Sequence, residues 1–212
     1  MTIQGVDPAI VEAWLSARSI VRGLPLPVAD HGGFRVDTRS EAEVARCVYA
    51  RAAAGLETLA RAIRKPRHLL KLCGTAKALL AALPAGWTLH PPAYFMRSTG
   101  EPDPRRLADG YRIEARRVGM VLEARIIAET GALAASGYAA ETQDAFIYDR
   151  IVTEPAHRRK GLGHLLMLTL HAARQRSGNP QLLVATEDGR ALYSTLGWEI
   201  ISPYSTASII AP

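Results

Sequence analysis

Arg158, Arg159 and Lys160 stand side by side, and Gly161 and Gly163 follow at once. Cations beside residues that lack a Cβ make a turn where backbone N–H groups and positive charge approach a ligand closely. Leu162, Leu165, Leu166, Thr169, Leu170 and Ala173 then recur at helical spacing, so the turn opens a helix. The first turn of a helix exposes unpaired N–H groups and the positive end of its dipole. A diphosphate is the anion that suits such a place. Ahead of the turn, the β-branched Ile147, Ile151 and Val152 favour an extended run, and Pro155 ends it. Metal chemistry is not indicated. His164 and His171 lie on one helix with His157 nearby, but no third ligand joins the pair. Cys47 and Cys73 have no ligand spacing and read as small buried hydrophobes.

Arg158-x-x-Gly161-x-Gly163, set between a strand and a helix, resembles the acyl-CoA-binding loop of the GNAT (GCN5-related) N-acetyltransferase superfamily. A second segment strengthens the likeness. Leu182–Thr186 reads as a short apolar strand, and Gly189-Arg-Ala-Leu-Tyr-Ser-Thr-Leu-Gly-Trp198 resembles the family's Leu-Tyr-x-x-Leu-Gly-Phe/Trp run. The two segments stand in the family's order, about thirty residues apart. The likeness covers residues 105–212 well and the first hundred poorly.

The resemblance implies an α+β fold with a mixed central sheet flanked by helices. Its two central parallel strands, here Ala145–Thr153 and Gln181–Thr186, would splay to admit the pantetheine arm of acetyl-CoA. The donor would be held by Ile151, Val152 and Thr153 at the strand end, by Arg158, Arg159, Lys160, Gly161, Leu162, Gly163 and His164 in the turn, and by Tyr193. The main-chain N–H of Thr153 matches the group that polarises the thioester carbonyl. Tyr193 matches the acid that protonates the departing thiolate, and a phenol suits a leaving group of similar basicity. Asp149 shares a strand face with Ile147, Ile151 and Thr153 by the two-residue period. It is a candidate general base, a candidate site for the acceptor's cation, or one half of an ion pair with an arginine such as Arg125. The glutamate that the family often carries two residues earlier is Ile147 here, and its asparagine ahead of the tyrosine helix is replaced by Glu187-Asp-Gly189.

These residues imply an acyl-CoA-dependent N-acyltransferase in which a primary amine attacks the thioester directly. Neither motif contains a cysteine for a covalent acyl-enzyme. A catalytically silent acyl-CoA-binding module on the same fold is the alternative. The acceptor would be a small-molecule or peptide amine, with Glu123, Glu141, Asp144 and Asp149 as candidates to face its charge. A homodimer through the closing strands, frequent in this fold, is left open.

The 212 residues carry 26 Lys and Arg against 20 Asp and Glu. The cations are nearly all arginine and are spread along the chain, which argues against a nucleic-acid surface and for attraction of a polyanionic ligand. No basic start with an apolar run suggests a secretory signal, and no uninterrupted apolar stretch suggests a membrane span. The expectation is a cytoplasmic protein with enough apolar residues (48%) for a sizeable core.

Residues 1–104 read as an amino-terminal region and 105–212 as the acyl-CoA-binding core, with the loop Gly100–Pro104 as boundary. Asp7-Pro8 caps and starts a helix through Leu15. Residues 33–63 are expected to supply the first strand, Gly33–Thr38, and a helix begun at Ser40 with its apolar face from Val44 to Ile63. His68–Cys73 fits either strand or helix, and Thr75 caps a helix to Leu83. The remainder of 67–104 reads as an insertion or a cap over the acceptor. Four strands follow: Tyr111–Val118, Val121–Ala128, Leu133–Ala140 and Ala145–Val152. No internal repeat is visible in the sequence.

Overall fold

The computed structural model describes residues 5–209. The fold is α+β, with one sheet of 12 strands covered by helices on both faces. Helix α1 is Pro8–Val21, capped by the Asp7 side chain on the Ala9 amide. The amino-terminal half continues with β1 (Val28–Asp30), β2 (Gly33–Asp37), β3 (Ala45–Tyr49), α2 (Ala54–Ala62), β4 (His68–Cys73) and α3 (Ala76–Ala81). Two strands, β5 (Trp87–Leu89) and β6 (Ala93–Ser98), complete it. The carboxy-terminal half is β7 (Tyr111–Val118), β8 (Val121–Ala128), β9 (Leu133–Glu141), β10 (Phe146–Thr153), α4 (Leu162–Ala172), β11 (Gln181–Thr186), α5 (Glu187–Ser194) and β12 (Trp198–Ile209).

Two expectations for the first half change. The run from Ser40 does not make one long helix: residues 45–49 are a strand, buried at every position, and helix begins only at Ala54. A strand buried at every position loses the two-residue alternation, and Arg46 lies inside it paired with Glu43, so its apolar residues also fitted the helical period. Gly33–Asp37 is preceded by β1, so it is not the first strand. His68–Cys73 resolves as a strand, and Thr75 caps α3 by accepting from the Ala78 amide.

In the strand order β1-β2-β3-β4-β12-β6-β11-β10-β9-β8-β7, with β5 pairing β12 off this path, the two ends are built alike except that the β7 side has one strand more. In each half an antiparallel meander leads to a parallel pair joined by a helix, β3–α2–β4 and β10–α4–β11. Each half then gives its last strand to the other: β6 pairs with β11, β12 pairs with β4, and the two exchanged strands pair antiparallel in the middle. The sheet therefore runs unbroken across residue 104. Side-chain alternation assigns the faces. Ile147, Leu182, Phe95 and Val48 pack with Trp14 and Leu15 of α1. Phe146, Tyr148, Met96 and Leu183 pack with Leu166 and Leu170 of α4 and with Tyr193 of α5 on the other side.

The two parallel pairs differ in one respect. β3 and β4 stay in register over five pairs, from Ala45↔His68 to Tyr49↔Leu72. β10 and β11 pair only at Phe146↔Gln181 and Ile147↔Leu182, and then part.

Candidate active site

The parting of β10 from β11 opens a cavity of about 1140 Å³ that passes through the sheet. One end is walled by Trp14 and Arg18 of α1 and by Arg22 at its C-cap, the other by the first turns of α4 and α5. Between them lie Asp149–Thr153 on β10 and Leu183–Thr186 on β11.

A bulge shapes the β10 wall. Pairing with β9 shifts register between Asp149 and Val152, and Arg150 takes a left-handed φ of 53°. The extra residue breaks the two-residue alternation. Asp149 stays on the α1 face with Ile147, but Ile151 turns to the opposite face, against Gly137 and Leu170 of the α4 core. The expected common face for Asp149, Ile151 and Thr153 is therefore not what the fold makes. Beyond the bulge the Glu154 amide donates to the Ala134 carbonyl on β9. Neighbouring residues of a strand point their amides to opposite edges, so the Thr153 amide faces the gap that β11 has vacated. Its carbonyl lies there as well and accepts from Arg158 Nε at 3.3 Å.

The turn after β10 is a short 3₁₀ helix, Pro155–His157, followed by Arg159 and Gly161 at φ 61° and 76°. Gly161 caps α4 without a side chain, so the first-turn amides face outward. A Cβ on Gly161 would collide with the Arg105 guanidinium, and one on Gly163 would press on Leu192. Bare backbone, Arg158, Arg159 and Arg105 together line this end of the cavity. That chemistry fits a diphosphate at a helix N-terminus. His164 lines it too, its Nε2 donating to the Asp103 carbonyl at 2.8 Å, which fastens the 103–105 segment over the turn. Leu162 and Gly163 complete the lining, as do Ile151 and Val152. Lys160 does not join them. Its ammonium donates to the Tyr111 hydroxyl at 2.9 Å, outside the cavity.

Tyr193 is 7% exposed and lies against Trp198, with its ring also lining the cavity. Burial, and then the Asp149 carboxylate, push its phenol above the ordinary range. Trp198 belongs to the core between Tyr148 and Tyr193. Helix α5 itself starts where Thr186 accepts from the Gly189 amide, so Glu187-Asp-Gly189 is its first turn and not a loop.

Asp149 is gripped by arginines, though not by Arg125. Arg22 donates to both its oxygens, Nε at 2.6 Å and Nη2 at 2.9 Å. Arg18 and Arg150 stand at 3.7 Å. Glu123 and Glu141 are away from the cavity: the first accepts from Arg116 and Tyr138, the second from Arg117 and the amides of Gln175 and Arg176. Asp144 is exposed in the β9–β10 turn. Of the four acidic candidates only Asp149 lines the cavity. His171 bonds Gln181 and Glu101, and the described residues contain no cluster of three metal-ligating side chains. Sequence reasoning did not find Trp14, Arg18, Arg22 or Arg105. The first three recur every four residues along one face of α1, a pattern visible in the sequence without any hint of what it faces.

Residues 118–200 match the family model described as acetyltransferase (GNAT) domain. No curated protein matches by sequence. Among solved structures, the chain is similar to a GCN5-related N-acetyltransferase from Kribbella flavida, with TM-score 0.68 and 15% identity over 98% of this chain and 97% of that one. A putative GNAT-family acetyltransferase from Novosphingobium aromaticivorans aligns with TM-score 0.59 and 16% identity, covering 95% and 97%. A tandem GNAT protein from the clavulanic acid biosynthesis pathway aligns with TM-score 0.53 and 14% identity, covering 97% and 95%.

Proposed function

We propose that this chain, whose residues 118–200 match a GNAT acetyltransferase domain, is an acyl-CoA-dependent N-acyltransferase, moving an acetyl group from acetyl-CoA to a primary amine. The observation that carries this reading is the opening between β10 and β11, a single cavity with a cationic helix N-terminus at one end and Trp14, Arg18 and Arg22 at the other. An acyl-CoA supplies an activated acyl group as a thioester. The residues of the chain do the rest. The α4 amides with Arg105, Arg158 and Arg159 hold the diphosphate. The Thr153 amide donates to the carbonyl oxygen as negative charge grows on it. Tyr193 delivers its proton to sulfur as the C–S bond breaks and the C–N bond forms.

Asp149 has both oxygens occupied by Arg22, so we assign it to placing Arg22 and the acceptor, and the amine's proton leaves to water. A tyrosine in the cavity lining, at the position of the family's acid, favours this reading over a silent binding module. The test is release of free thiol from acetyl-CoA with a mixed panel of small-molecule and peptide amines. Amine-dependent release supports the assignment. Coenzyme A binding without any release would point to the silent module.

A further inference from the structure

The charge at the α1 end of the cavity is not explained by a donor diphosphate, which belongs at the α4 end. Asp149 and Asp188 are the carboxylates in the lining, and Asp188 sits on α5, across the sheet from α1. At the α1 end three guanidinium groups thus face one carboxylate. They are not equally engaged. Arg150 lies 4.1 Å over the Tyr138 ring and donates to the Val21 carbonyl. Arg22 spends Nε and one Nη2 hydrogen on Asp149, leaving the rest of its donors. Arg18 stands 3.7 Å from Asp149, beyond hydrogen-bond length, and its guanidinium lies 5.5 Å over the Trp14 ring. Its side chain is only 19% exposed, and it lines the cavity. A guanidinium held on an aromatic face inside a cavity, with its fork unsatisfied, is a receptor for a planar anion.

Resting on the acyl-transfer reading above, we propose that the acceptor is an amine that also carries a carboxylate, received by Arg18 and the remaining donors of Arg22. The carboxylate end docks on α1, which leaves the amine for the gap beside Thr153 and Tyr193. The same excess of positive charge turns away acceptors that are cationic throughout, such as polyamines. Asp149 then acts as a positioning residue that fixes the angle of Arg22.

The experiment measures binding by calorimetry to the intact protein saturated with coenzyme A. The probes are the common L-amino acids, each beside its carboxamide, with spermidine as the purely cationic control. The expected result is that at least one amino acid binds and that its carboxamide binds about tenfold or more weakly, as loss of a charged hydrogen bond implies. Arg18→Gln should weaken the acid to the level of the amide and leave the amide unchanged. Equal affinity of acid and amide, tighter binding of spermidine, or no binding by any acid overturns the proposal. If Arg18→Gln fails to fold, the acid-to-amide ratio on the unaltered protein decides. Thiol release from acetyl-CoA separates the two claims. Equal turnover of acid and amide refutes this inference alone, whereas a carboxylate preference in binding without any thiol release refutes acyl transfer alone.

Discussion

Tyr193 keeps its proton because the chain buries it. Burial and then the Asp149 carboxylate push the phenol up, so it remains an acid beyond pH 10, where a free phenol is half ionised. Tyr193→Phe removes the hydroxyl and keeps the ring against Trp198. We expect kcat to fall about a hundredfold or more while coenzyme A affinity holds, measured as thiol release at saturating acetyl-CoA. An unchanged kcat would remove Tyr193 from the mechanism. This residue was legible in the sequence because its signal is local: four positions separate it from Gly197. The partners of Asp149 were not. Arg22 lies 127 residues away in the chain, and no local pattern ties α1 to the strand it faces. Arg125, the arginine nearer in sequence, lies on β8 and does not pair with Asp149.

Among the elements, the second half was readable nearly strand by strand. Alternation survives over the first part of β8 and the middle of β9, and the turns Gly119 and Gly131 fall where φ is positive. The bulge in β10 was hidden, because nothing in Asp149-Arg150-Ile151 announces an extra residue. In the first half the fully buried β3 passed for helix. β4 carries a further test. Burial first, then Arg46, lowers the Lys71 ammonium to about 8, with Glu43 pulling the other way. An unfolded lysine holds its proton to about pH 10.4. The unfolded chain therefore binds more protons than the folded one above roughly pH 7, and this group makes stability climb as pH rises through 8. Cys47 and Cys73, pushed up to about 12, oppose that trend once unfolded thiols ionise near about 8.5. Between about pH 7 and 8.5, melting temperatures of the unaltered chain should rise relative to those of Lys71→Met. Parallel curves would contradict the burial of this charge.

At the scale of the molecule, two halves of like topology share one sheet through exchanged strands. The expected division at residue 104 separates sequence signals, not folding units. Residues 105–212 alone lack α1, which walls one end of the cavity, and β6, which lies between β11 and β12. We expect a fragment of residues 105–212 to show no cooperative melting by circular dichroism, and co-expression with residues 1–104 to restore it. A cooperative fragment would overturn the shared-sheet account. No sequence pattern revealed the repeat, because the halves agree in connectivity and not in residues. The first half has Arg51-Ala-Ala-Ala-Gly55 where the second has its cationic glycine turn, a Cβ on Gly55 would strike the His31 carbonyl, and β3 and β4 stay zipped.

Among the described residues one parallel pair parts to open a gap, so the proposed function calls for one donor site per chain. Calorimetric titration with coenzyme A is the most direct test. Binding is expected at a ratio of one per chain, weakened about tenfold or more by Gly161→Val, whose side chain must displace Arg105 and accept a left-handed backbone. No heat with the unaltered protein, or binding indifferent to Gly161→Val, would contradict the proposed donor site.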